Sequence, residues 1–174
     1  MKFQLQEIAP EQITSIKNRI ENNSKQIDEI VDGIIQPYCR GLDKYVSFIH
    51  ECLSDVQKQP SPPELEDWCL NLSTEIYFAS GMTENLGIRD DIAKAVYKEV
   101  YNASRNALDK GTVADKDSIA ALQSQEEAII SSAYTRAYKT MKAKVENAQE
   151  LLQSCKKVLQ NRISERELTH IQGQ

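Results

Sequence analysis

The sequence predicts an all-α protein built of long helices, with a helical hairpin and coiled-coil segments. Three observations carry that expectation. Only 6 Gly and 5 Pro interrupt 174 residues, far less turn chemistry than a protein of many short strands requires. An isoleucine repeat near the N-terminus steps alternately by three and four residues. The same alternation returns in the last third of the chain on a different set of side chains. Aromatic residues make up 6% of the chain and the mean hydropathy is -0.53. That is a thin supply for a compact core, and it favours rods that associate.

The first helix is expected to start at Ala9-Pro10-Glu11, because proline tolerates the first turn. Its seam runs through Ile13, Ile16, Ile20, Asn23, Ile27, Ile30 and Ile34. Isoleucine at both seam positions favours three or more strands, and a lone seam asparagine fixes register at some cost in stability. These seven residues are therefore the candidate oligomerisation surface, with packing on the rest of the chain as the other use of the seam. Pro37 lacks a backbone donor, so a kink or break is expected there. Periodicity resumes through Leu42, Tyr45, Val46, Ile49, Leu53 and Val56. The stretch QKQPSPPELEDW is the clearest linker, since Pro60, Pro62 and Pro63 force extended backbone. It divides the chain into an N-terminal helical arm (residues 1–59) and a helical domain (60–174).

Ser61 and Glu64 have capping-box spacing for the next helix, which carries Leu65, Trp68, Cys69, Leu72 and Ile76 on one face. ASGMTENLGIRDD is expected to end it, with Gly81 as the cap and Asp90 or Asp91 starting a further helix. Gly111 marks the next stop, with Asp115 or Asp117 as the following start. From Ser118 to about Arg166 the pattern is one long helix. Tyr134, Tyr138, Met141, Val145, Ala148, Leu152, Cys155 and Leu159 form its seam. The tyrosines are thus expected to face a packed interface rather than offer rings to nucleic-acid bases.

Charge is uneven along the chain. The net charge of -5 divides into -2 over residues 1–63, -7 over 64–132 and +4 over 133–174. A phosphate backbone would be attracted only by the last part. An equally good account is an acidic and a basic surface meeting inside an oligomer.

Several function classes find no support. No apolar run approaches the roughly 18 residues of a membrane span, and MKFQLQEIAP lacks the apolar core of a secretory signal. A cytoplasmic location is expected. Cys39, Cys52, Cys69 and Cys155 form no C-x-x-C pair and fall at apolar helical positions, where a thiol acts as a small hydrophobe. His50 lies too close to Cys52 in sequence for one helical face to present both to a metal. Asp115–Asp117 and Arg89–Asp91 are simpler as helix caps than as ion ligands. No phosphate loop or nucleophile elbow is present. The expectation is a protein that is not an enzyme, with no cofactor and no metal.

The segment LEDWCLNLSTEIYFASG, then ADKD, then a long helix ending LLQSCKKVLQNRISE resembles the UvsY-like recombination mediators of bacteriophages. The resemblance covers residues 65–166. It implies a phage-encoded accessory protein that binds single-stranded DNA, forms a homo-oligomer, and acts with a recombinase or a single-strand binding protein. The family's basic pair before its aromatic-Ser-Gly motif has no counterpart here, since LNLSTEIYFASG contains no Lys or Arg and carries Glu75. DNA contacts would then fall to the final helix: Arg136, Lys139, Lys142, Lys144, Lys156, Lys157 and Arg162. The competing expectation is a helical assembly, adaptor or inhibitor protein that docks on a protein partner and has no nucleic-acid role.

Overall fold

A computed structural model describes residues 10–54 and 59–172. Four helices follow one another: α1 (Pro10–Ser54), α2 (Pro62–Asn106), α3 (Val113–Gln123) and α4 (Gln125–Gln172). No strand occurs among the described residues. At 1.5 Å per residue the three long helices are each about 70 Å long.

The long helices form a bundle. α1 and α2 run antiparallel, as shown by the edge-on packing of the Phe48 and Trp68 rings, centroids 6.0 Å apart, and by Arg89 donating to the Tyr38 hydroxyl. α2 and α4 are also antiparallel, with Asp90 opposite Thr135. α1 therefore lies parallel to α4, and Asp28 pairs with Arg136 as Asp43 pairs with Lys144.

Local chemistry sets the helix ends. Ser61 is the extended N-cap of α2. Its backbone N–H donates to Glu64 Oε2 at 2.8 Å and its hydroxyl donates to the same oxygen at 2.6 Å. Pro62 and Pro63 occupy first-turn positions where a missing N–H costs no helical bond. Gly111 has φ +121, a backbone region that disfavours a Cβ. Thr112 then caps α3: its Oγ1 accepts from the Asp115 N–H at 3.2 Å, and its own N–H donates to Asp115 at 3.1 Å. This is a reciprocal capping box. The start falls at Thr112, with Asp115 as its third-position partner, rather than at either aspartate.

The core draws on all three long helices. α1 contributes Val31, Ile35, Cys39, Leu42 and Ile49. α2 contributes Leu65, Trp68, Leu72, Ile76, Ala79 and Leu86, and α4 contributes Ala133, Ala137, Met141, Val145, Ala148, Leu152 and Cys155. The alanines let α2 and α4 approach closely, and these two helices share the most extensive interface. Gly87 serves the same end: the Tyr138 ring lies where a Cβ would meet it at 3.3 Å.

Four sequence expectations shift. α1 runs unbroken through Pro37. Pro37 and Gly33, whose carbonyl loses its helical donor, are both exposed, so water can satisfy that carbonyl. α2 continues through Gly81 and Asp90 to Asn106. Gly81 faces open space, and the expected cap Asp90 is buried mid-helix, where it accepts hydrogen bonds from Lys94 and Thr135. The last rod begins at Val113 and is interrupted at Ser124. The Ser124 N–H still bonds Ala120 O and its carbonyl accepts from Ala128, while its hydroxyl also donates to Ala120 O, a back-bond that bends helices.

In the fourth shift, the buried stripe of α1 starts later than the isoleucine seam. Ile27 and Ile34 pack against the core. Ile13, Ile20 and Ile30 are exposed. The side chains of Ile16 and Asn23 lie outside the described residues.

Asp90 gives a pH test of the α2–α4 pairing. Burial opposes its charge, but the hydrogen bonds from Lys94 and Thr135 and the charges of Lys94 and Lys139 outweigh this and hold the carboxyl below its usual range. A carboxyl depressed in the folded state adds stability above its unfolded pKa, and that contribution is lost as pH falls through the folded value. Asp90→Asn is therefore expected to lower stability at pH 7 and to lose that deficit as pH drops below about 4. Urea titrations of both proteins across pH 2–7 check this, and parallel curves would reject it.

Candidate functional site

The seven basic residues proposed for DNA lie on α4, but the structure does not place them on one face. Arg136, Lys139 and Lys142 follow at three-residue steps on the exposed side of the helix, where such spacing makes neighbours. Ser131, Ser132 and Thr135 extend this cluster with hydroxyls and, with Arg136 and Lys139, line a shallow groove of about 290 Å³. Lys156 and Lys157 are exposed about 21 Å further along the helix. Glu146 and Glu150 come between the two groups.

Four of the seven already have acidic partners. Arg136 pairs with Asp28 of α1 at 3.1 Å, Lys142 with Glu146 at 3.9 Å and Arg162 with Glu165 at 3.8 Å. Lys144 differs in kind: it is half-buried and reaches Asp43 of α1 at 2.7 Å, so it ties α1 to α4. Exposed pairs of this sort contribute little and exchange readily, so Arg136 and Lys142 remain available to a phosphate. Lys139, Lys156 and Lys157 form no ion pair among the described residues.

Tyr138 is half-buried against the core, and Tyr134 is half-buried beside Ile130. Tyr138 packs inward, whereas Tyr134 lines an apolar groove between α2 and α4. The exposed aromatics are elsewhere. Tyr77 and Phe78 on α2 are 75% and 61% exposed, with ring centroids 5.6 Å apart. In the sequence their adjacency to the core position Ile76 hides them. Their position in the aromatic-Ser-Gly motif was the available signal. Tyr77 borders a groove of about 730 Å³ whose α4 wall carries Glu146 and Glu150. An acid-flanked aromatic surface repels phosphate and suits a basic protein segment.

Three thiols and the carboxylates of Asp115 and Asp117 serve the structure. Burial, with Asp43 beside it, pushes the Cys39 thiol up to about 11, and burial also raises Cys155 and Cys69. Such thiols stay protonated and inert. Asp115 caps α3, while Asp117 accepts from Arg105 and Tyr101 and so clasps α3 to α2. Comparisons with protein-family models, with curated proteins and with solved structures return no match.

Proposed function

We propose that the chain is a non-enzymatic, oligomeric helical accessory protein of DNA recombination, a UvsY-like mediator, in which each copy holds single-stranded DNA weakly. The observation that carries this reading is the cluster of Arg136, Lys139 and Lys142 on the exposed side of α4, beside the hydroxyl-lined groove. One such cluster makes few phosphate contacts. Repetition around an oligomer turns a weak site into a strong one through effective concentration. The acid-flanked Tyr77–Phe78 surface gives the same protein a separate place for a recombinase or single-strand binding protein.

The adaptor reading, with no nucleic-acid role, draws on a different observation. Four of the seven basic residues are paired with carboxylates of the same chain. In that account the lysines only solvate the bundle.

Fluorescence anisotropy with a labelled single-stranded oligonucleotide separates the two. A mediator is expected to bind at 50 mM salt and to weaken steeply by 200 mM, because binding releases condensed counterions. Absence of binding at 50 mM by the assembled protein would leave the adaptor account standing alone.

A further inference from the structure

Among the described side chains of α1, contacts with the core begin at Ile27, and two exposed apolar surfaces lie beyond it. The first is the arm itself. Over Pro10–Gln26, about 25 Å of helix, Ile13 and Ile20 are 45% and 62% exposed. The second is a groove of about 230 Å³ between α2 and α4, walled by Ile92, Val96, Ile130 and Tyr134 with Arg89 and Glu127 at its edges. Ile92, Val96 and Ile130 are all more than 40% exposed.

This groove prolongs an existing interface. Arg89, at its edge, donates to Tyr38 of α1, so it opens on the side of α2 that α1 covers further along. Its chemistry also asks for an occupant. Glu127 Oε2 is buried and has no hydrogen-bond partner among the described residues, which is costly unless a donor arrives.

We infer that the groove receives the α1 arm of a second copy of this chain, in a reciprocal exchange that rests on the oligomeric part of the proposed function. The arm supplies what the groove lacks. Its isoleucines recur at helical spacing, and Lys17 and Lys25 are exposed cations within the segment that would pass Glu127. On α2 the groove runs from Arg89 to Val96, about 10 Å, so two turns of the arm suffice to fill it. A chain's own arm leaves its own groove uncovered, since Ile92, Val96 and Ile130 remain exposed. Each copy offers an arm and a groove, so a twofold arrangement satisfies both at once.

Two measurements on the full chain decide the matter. Light scattering is expected to show the wild type as an assembly. Ile20→Asp and Val96→Asp should each reduce it to the 19.7 kDa of one chain with unchanged far-UV circular dichroism, because neither side chain is buried in the single copy. Mixing Ile20→Cys chains with Val96→Cys chains should give, under oxidation, a disulfide-linked pair that neither variant gives alone. If the wild type is assembled but both Asp variants keep its mass, the exchange is refuted and the proposed function survives. The exchange is equally refuted if the mixed chains stay unlinked while a chain carrying both cysteines closes on itself. A wild type of single-chain mass overturns both the exchange and the oligomeric reading, and DNA binding is then judged by anisotropy alone.

Discussion

Leu72→Ala is expected to destabilise the bundle by about 2–5 kcal/mol, the cost of a deleted core leucine plus the cavity it leaves. Leu72 has no solvent exposure and belongs to the core shared by all three long helices. It lies where α2 must satisfy α1 and α4 together, so neighbours cannot collapse inward without moving a helix. For a chain of this size the loss corresponds to a fall of roughly 4–20 °C in melting temperature. Leu70, two residues away, is 69% exposed, and Leu70→Ala is expected to stay within about 0.5 kcal/mol of the wild type. Thermal and urea unfolding of the two variants side by side check the assignment. Equal destabilisation at both positions would mean that the face of α2 has been placed wrongly.

The second large effect concerns DNA. Reversing Lys139, Lys142 and Lys157 to Glu together is expected to abolish single-strand binding while the assembly and its helicity persist. All three are exposed, and only Lys142 forms an ion pair, a 3.9 Å contact within its own helix. Each lost phosphate contact removes about 0.7 from the slope of log affinity against log salt on a single strand. A variant that retains partial binding should thus show a slope shallower by about 2. Lys144→Glu makes an instructive contrast. Lys144 holds Asp43 of α1, so its reversal should loosen the bundle and confound a binding assay. Wild-type affinity in the triple variant would remove α4 as the nucleic-acid surface.

The two predictions draw on features that differ in how far they could be read in the sequence. The all-helical class was legible, as were the capping box at Ser61 and Glu64, the stop at Gly111 and the apolar face from Leu65 to Ile76. These rest on contacts within a few residues of one another. The helices run on through Pro37 and Gly81, because both residues face solvent, where a missing donor or an absent side chain is cheap. The seam of α1 divides between two uses that periodicity alone does not apportion. A run of isoleucines declares that a helix wants a partner, but not where along its length that partner ends. Ile27 and Ile34 found one within the chain, whereas Ile13, Ile20 and Ile30 did not. Likewise, the basic residues of α4 were visible, but their distribution between solvent and the acids of α1 depends on how helices far apart in sequence are aligned. Tyr77 and Phe78 were hidden by their adjacency to a core position.

The unequal sharing of interfaces has a consequence for how the molecule comes apart. α2 and α4 face each other along most of their length and are joined at one end by the α3 clasp, whereas among the described side chains α1 meets the core from Ile27 onward. The hairpin of α2 and α4 is therefore a spine that can persist after α1 has peeled away. Shedding that strap would uncover Val31, Ile35 and Leu42, leaving a sticky intermediate that a neighbouring copy's α1 could trap or rescue according to concentration.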